Sequence, residues 1–164
     1  MTDLVKWNIP AQFISERVAL SGPEIAYGLR LEWLSLDDAV NLAGSTLRTS
    51  PTGVAPAAGP KPSGDPAQIE AWTRGLERGQ RGDERRVWLF LGLAWLLANS
   101  ASYHDPLEMI ARIWEDFGHA QEIQHLVYWM PPETGRPVGV RGLERRWREF
   151  VDVGRLEYRT RSVP

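Results

Sequence analysis

Residues 87–98 read Val-Trp-Leu-Phe-Leu-Gly-Leu-Ala-Trp-Leu-Leu-Ala, and this stretch decides the fold. Only Gly92 interrupts the apolar run. These 12 residues are too few to cross a bilayer, which takes about 20. A helix that is apolar on every side is instead buried among other helices. We therefore predict a buried central helix over residues 83–100, beginning at Asp83 and Glu84.

Helix start and stop signals flank this stretch on both sides. Ser21 before Pro23 and Glu24, and Ser35 before Asp37, have the residue order of helix N-termini. Apolar residues spaced by three and four predict further helices, which cover residues 67–81, 105–118, 120–130 and 141–155, the last ended by Gly154. The sequence thus predicts an all-α protein, a bundle of about seven helices around the buried central helix.

Residues 49–66 separate the first helix pair from the rest of the chain. They contain five prolines and three glycines and show no apolar period. Proline blocks helix formation and glycine raises the entropy cost of ordering. Because only 48 residues precede this segment, we expect a flexible Pro/Gly/Ala-rich insertion in a single domain spanning residues 1–164. A hinge between two modules is the alternative.

Composition excludes several classes of protein. The chain has 164 residues, 43% of them hydrophobic and 24% charged, as in an average soluble globular protein. It has no cysteine, which rules out disulfides, thiol catalysis and iron–sulfur clusters. The first residues lack a basic region followed by a long apolar run. We therefore expect no signal peptide, no membrane association and a cytoplasmic location.

The residues that could carry acid–base or metal chemistry concentrate between positions 104 and 125. They comprise three histidines and four acids: His104, His119, His125, Asp105, Glu108, Glu115 and Asp116. A carboxylate–histidine enzyme site around residues 104–119 is one interpretation. However, Glu108, Arg112 and Glu115 have the spacing of a solvated helix face, and no nucleophile elbow or phosphate-binding loop is present. We expect no catalytic residue, no metal and no cofactor.

A protein-binding surface is the interpretation that we favour. Residues 104–140 carry six acidic and two basic side chains, although the whole chain has a net charge of only −2. Tyr128 and Trp129 precede the helix stop at Pro131, where an exposed aromatic pair can anchor a partner. We predict that a basic protein partner is bound by acidic and aromatic side chains, namely Asp105, Glu108, Glu115, Asp116, Tyr128 and Trp129.

Nucleic-acid binding is a third hypothesis, which would use the arginines at 74–86 and at 141–161. The basic residues of the tail alternate with Glu144, Glu149, Asp152 and Glu157. Nucleic-acid binders usually show a stronger net positive charge than this. We therefore expect no nucleic-acid partner.

The chain also resembles a known group of bacterial sequences. The motifs that carry the resemblance are Trp88-Leu89-Phe90-Leu91, Asp105-Pro106-Leu107-Glu108, Asp116-Phe117 and Tyr128-Trp129-Met130-Pro131. They resemble an uncharacterised bacterial domain family of unknown function, with its W-L-x-L helix, its D-P-L-E…D-F helix and its closing Y-M-P motif. The sequence departs from that pattern at Trp114, where the family has tyrosine, and at His119-Ala120, where it has tyrosine-proline.

The resemblance implies a function but transfers no catalytic residue. Members of the family look like small cytoplasmic companions of bacterial toxins. The resemblance therefore implies a toxin-neutralising immunity protein whose partner is a basic toxin domain.

Overall fold

The computed structural model describes residues 6–49, 61–78, 83–130 and 139–160. Seven α-helices lie in these ranges: α1 (Ala11–Ser15), α2 (Gly22–Arg30), α3 (Leu36–Thr49), α4 (Pro66–Glu77), α5 (Glu84–Ala98), α6 (Pro106–Asp116) and α7 (Gly139–Arg159). Two 3₁₀ helices, Ser100–Ser102 and Gln121–Leu126, flank α6. The described residues contain no strand, and the predicted all-α fold is confirmed.

The predicted buried helix is α5. All of its residues from Val87 to Ala94 are buried, as is Leu96, while Trp95 and Leu97 are half-buried. None of the helices in the described ranges combines the length and the hydropathy that a membrane crossing requires.

By their internal contacts the described residues fall into two compact units. Residues 6–88 with 157–160 form one, and residues 89–156 form the other. Helices α5 and α7 each have residues in both units. The single domain that the sequence analysis expects therefore stays a prediction, and residues 50–60 of the predicted insertion lie outside the described residues.

In the unit of residues 6–88, helix α2 begins as the sequence predicts. The Ser21 hydroxyl accepts a hydrogen bond from the backbone N–H of Glu24 at 3.4 Å, and the Glu24 carboxylate accepts from the N–H of Ser21 at 2.8 Å. This capping box satisfies two helix-end donors. It also gives the fully buried Glu24 side chain a hydrogen-bond partner, which a buried carboxylate requires.

Trp88 of α5 lies in the core of the same unit. Its indole N–H donates to the backbone carbonyl of Glu24 at 2.7 Å. Its ring covers Gly28 so closely that a Cβ at position 28 would lie 2.0 Å from Cζ2. Trp33 packs edge-on against it, with ring centroids 6.5 Å apart, and Trp7 contacts Trp33 in turn at 4.8 Å. Glu24, Gly28 and Trp33 thus surround the Trp88 indole, and Trp7 packs on Trp33.

In the unit of residues 89–156, helix α7 is longer than predicted. The sequence analysis ends this helix at Gly154, but α7 continues to Arg159. Gly154 is inside the helix because it faces Phe90, whose ring atom Cδ2 would lie 2.4 Å from an added Cβ. The glycine serves close packing and not helix termination. Trp147, two helical turns before Gly154, donates its indole N–H to the backbone carbonyl of Leu93 at 3.1 Å.

Two other predicted helices differ from those of the structure. Helix α4 ends at Glu77 and not at residue 81, since Arg78 already caps it. The helix predicted over 120–130 is a 3₁₀ helix of six residues, Gln121–Leu126, with Ile123 and Leu126 buried. The five-residue α1 was not predicted, because a helix of one turn is too short to show an apolar period.

The close packing of Gly154 can be tested by Gly154→Ala. We expect the free energy of unfolding to fall by about 1–3 kcal/mol, because the added methyl group meets the buried Phe90 ring. The matched control is Gly44→Ala in α3, where nothing lies within 4 Å of the added atom. This control should leave stability unchanged or raise it by up to about 1 kcal/mol. Urea unfolding followed by circular dichroism measures both, and equal effects would contradict the assignment.

The Trp88 hydrogen bond can be tested by Trp88→Phe. The variant leaves the Glu24 carbonyl without its donor, and we expect a loss of about 2 kcal/mol in the free energy of unfolding. Val153→Ala is the control, since Val153 is 64% exposed and its substitution should change stability by less than about 0.5 kcal/mol. A Trp88→Phe protein as stable as the parent would show that the buried bond contributes nothing.

Candidate partner-binding site

Helix α6 and its N-cap residue Asp105 supply most of the residues predicted to bind a partner. Asp105 Oδ1 accepts hydrogen bonds from the backbone N–H groups of Leu107 and Glu108, both at 3.1 Å. Pro106 occupies the first turn, where its missing N–H costs nothing. The buried side chains of Ile110 and Ile113 then hold one face of the helix in the core.

The far end of α6 reverses the chain sharply. Gly118 and His119 both have positive φ, +66° and +61°, and the N–H of His119 donates to the carbonyl of Trp114 at 2.8 Å. A left-handed residue is ordinary for glycine after a helix but uncommon for histidine. The reversal leads into the 3₁₀ helix and returns the chain to α6.

This return places Trp129 against Trp114. Their ring centroids lie 6.3 Å apart and nearly perpendicular, at 76°. Tyr128 packs on Trp129 at 4.7 Å, and His119 packs on Trp114 at 4.3 Å. We call these four side chains the aromatic patch. The pattern of the sequence indicated Tyr128 and Trp129, but the part played by His119 depends on its positive φ and was missed.

The aromatic patch is open to solvent on one side and buried on the other. Tyr128 is 51% and Trp129 48% exposed, whereas Trp114 is only 8% exposed. The buried indole nitrogen of Trp114 has no hydrogen-bond partner. Edge-to-face aromatic pairs each contribute about 0.5–1.5 kcal/mol beyond the area they bury, so the exposed rings are held in place before any partner arrives.

The predicted acidic residues lie along α6 and do not form a single cluster. Asp105 precedes the first turn and Asp116 ends the last, about 16 Å away along the axis. Glu108 forms an exposed ion pair with Arg112 at 3.0 Å, and Glu115 is exposed. Only Glu115 and Asp116 are close in sequence to Trp114. Two of the four acids thus lie at the end of α6 that carries Trp114, and Asp105 and Glu108 lie at its start.

The enzyme hypothesis requires at least three of these acids and histidines to converge. Asp105 and Asp116 lie at opposite ends of α6 and so do not belong to one such group. Among the residues that the structure describes, no group of three or more histidine, aspartate and glutamate side chains is placed to hold a metal ion. The ring centroid of His125 lies 6.4 Å from that of Phe150.

Shifted pKa values occur elsewhere, in the unit of residues 6–88. Arg30 of α2 hydrogen-bonds Glu77 of α4 at 2.8 Å, and this bond is the main cause that raises the pKa of Arg30. Burial raises the pKa of Tyr27, opposed by the nearby charge of Arg85. These groups line a cavity of about 230 Å³, but the Arg30–Glu77 ion pair joins two packed helices, so its role is structural.

Several arginines considered for nucleic-acid binding already have partners. Arg74 pairs with Glu70, Arg86 with Glu157 and Arg145 with Glu149, each at 3.2 Å. Arg146 is buried and donates to the carbonyl of Gly142. These contacts reduce the positive charge that is available to phosphates, and the absence of a nucleic-acid partner stays a prediction.

Comparison with known proteins gives one match. The sequence model of a family described as an uncharacterized protein conserved in bacteria (DUF2247) matches residues 11–155. No curated protein and no solved structure matches the chain.

The two roles open to Asp105, helix cap and charged contact, can be separated by substitution. Asp105→Ala removes the cap, and we expect the free energy of unfolding to fall by about 1 kcal/mol. Asp105→Asn keeps an acceptor for the same N–H groups and should lower the free energy of unfolding by only about 0.3 kcal/mol. Chemical unfolding measures both variants. If asparagine were as damaging as alanine, the charge and not the cap would stabilise the helix.

Proposed function

The chain belongs to the conserved bacterial family DUF2247, as its motifs predict, and within this family we propose that it is a protein-binding module. The proposal is one of binding and not of catalysis. It locates the contact at the aromatic patch and the acidic residues of α6 and of the 3₁₀ helix that follows, and it takes the partner to be a basic protein.

The exposed aromatic pair is the observation that carries this proposal. Tyr128 and Trp129 each expose about half of their surface, which is unusual for side chains of this size. They are nevertheless packed on each other, and Trp129 also packs on the buried Trp114. A large side chain that is already ordered loses little entropy on binding. Tyrosine and tryptophan are also the residues most often found at energetic centres of protein interfaces.

The charge around the aromatic patch indicates the sign of the partner. The described residues 104–130 contain Asp105, Glu108, Glu115, Asp116 and Glu122 against a single arginine, Arg112. Most of these carboxylates are exposed, and the charge of a surface attracts partners of opposite sign and speeds their association. A basic surface with a recess for Trp129 complements this region.

A toxin domain is the specific partner that we propose. The family resemblance stated for the sequence implies a companion of bacterial toxins, and an acidic surface with a fixed aromatic anchor is well suited to cover a basic active surface. The chain would then act as an immunity protein, neutralising the toxin by occlusion.

The test uses the purified basic protein encoded next to this chain. Isothermal titration calorimetry gives Kd for the parent and for Trp129→Ala. We expect at least a 30-fold rise in Kd, equivalent to the roughly 2 kcal/mol of a hot-spot residue. In a separate titration of the parent, raising the salt concentration from 50 to 300 mM should raise Kd, because salt screens the attraction between exposed charges.

The control is Leu156→Ala, which truncates another exposed apolar side chain, 67% exposed and located on α7, and should leave Kd unchanged. Two results would overturn the proposal. One is that no neighbouring protein binds at low salt, and the other is that Trp129→Ala binds as tightly as the parent.

A further inference from the structure

A groove lies at the other end of α6, within the unit of residues 89–156. Its volume is about 510 Å³, within the range of about 300–1,000 Å³ that is typical of ligand sites. The end of α5, the first 3₁₀ helix, the start of α6 and the start of α7 contribute the lining. Its residues are Leu97, Ser100, Ala101, Asp105, Pro106, Leu107, Val140, Glu144, Trp147 and Arg148.

The floor of the groove is apolar and fixed. Trp147 is buried, and its indole N–H is held by the carbonyl of Leu93, so its ring cannot turn freely. Leu97 and Leu107 are half-buried. Val140, which also lines the groove, is 59% exposed. A leucine-sized apolar group placed here would cover surface that the chain itself leaves open.

The groove is also lined by charged groups that can form further hydrogen bonds or ion pairs. Asp105 uses Oδ1 for both backbone N–H groups of its cap, which leaves Oδ2 available. Glu144 and Arg148 are four residues apart on α7, in the order that favours an ion pair on a helix, yet neither forms one in the described part of the chain. Arg145 and Glu149, at the same spacing in the less favourable order, do pair, at 3.2 Å.

From this arrangement we propose that the groove binds a short extended segment of the basic partner, in which a large apolar residue is followed by lysine or arginine. The apolar side chain occupies the floor beside Trp147. The cation pairs with Glu144 and with Oδ2 of Asp105, and Arg148 donates to a backbone carbonyl of the segment. Two carboxylates against one guanidinium favour a cation over an anion. The source of the segment rests on the proposed function.

The probe is the blocked tetrapeptide acetyl-Ala-Leu-Lys-Ala-amide, titrated into the full-length protein labelled with ¹⁵N. The indole N–H resonance of Trp147, assigned with Trp147→Phe, reports occupancy of the groove. We expect a saturable shift. Replacing the leucine of the peptide by alanine should raise Kd about 50-fold, because about three buried carbon atoms are lost. Replacing the lysine by glutamate should raise it at least threefold.

Variants of the protein identify the charged contacts. Glu144→Gln and Asp105→Asn should each raise the Kd of the leucine–lysine peptide about threefold, and asparagine keeps the cap of α6. Glu149→Gln is the matched control, since it neutralises an exposed glutamate of the same helix that does not line the groove, and it should have no effect. An unmoved Trp147 resonance, or equal affinity for the lysine and glutamate peptides, would overturn the proposal.

The same variants separate this proposal from the proposed function. If Trp129→Ala weakens the basic partner but Glu144→Gln does not, the partner does not use the groove and the assignment of its segment is wrong. If neither weakens it while the peptide still shifts Trp147, the proposed function fails and the groove remains a peptide site. Weakening by both supports two contacts on one partner.

Discussion

The close packing of the Trp88 indole against Gly28 constrains the unit of residues 6–88. Trp88 is fully buried and donates to the carbonyl of Glu24, while its ring occupies the space that a side chain at Gly28 would need. A buried N–H without an acceptor costs about 1–3 kcal/mol. The Trp88 side chain can therefore pack on α2 only where the carbonyl of Glu24 and the space beside Gly28 both face its ring.

The sequence predicts the helices well where a local signal marks them. The caps at Ser21, Ser35 and Asp105 and the acidic pair Asp83-Glu84 give the starts of four helices within a residue. The prediction is wrong where a residue acts through distant packing. Gly154 has the position of a helix-ending glycine, and only the ring of Phe90, more than sixty residues earlier, explains why it stays inside α7. No local pattern contains that information.

The candidate site also has some features that the sequence predicts and others that depend on distant packing. Exposure of Tyr128 and Trp129 follows from their place before a proline stop, and the acidic bias of residues 104–140 can be counted from the sequence. Contact of Trp129 with Trp114 cannot be deduced, because it depends on two consecutive residues of positive φ, one of them histidine. The groove could not be predicted from the sequence either. Glu144 and Arg148 have the spacing of a helical ion pair, and only the structure shows that, within the residues it describes, they do not form one.

Helix α6 connects both surfaces, and this connection matters for recognition. Its start supplies Asp105 and Leu107 to the groove, and its end supplies Trp114 to the aromatic patch. The buried face of the helix, with Ile110 and Ile113 inaccessible to solvent, fixes the two ends about 16 Å apart. A partner that contacts both must match this separation as well as the local chemistry. Two modest contacts at a fixed distance can thus select a partner more sharply than either alone, because the second contact forms at high effective concentration only when the geometry agrees.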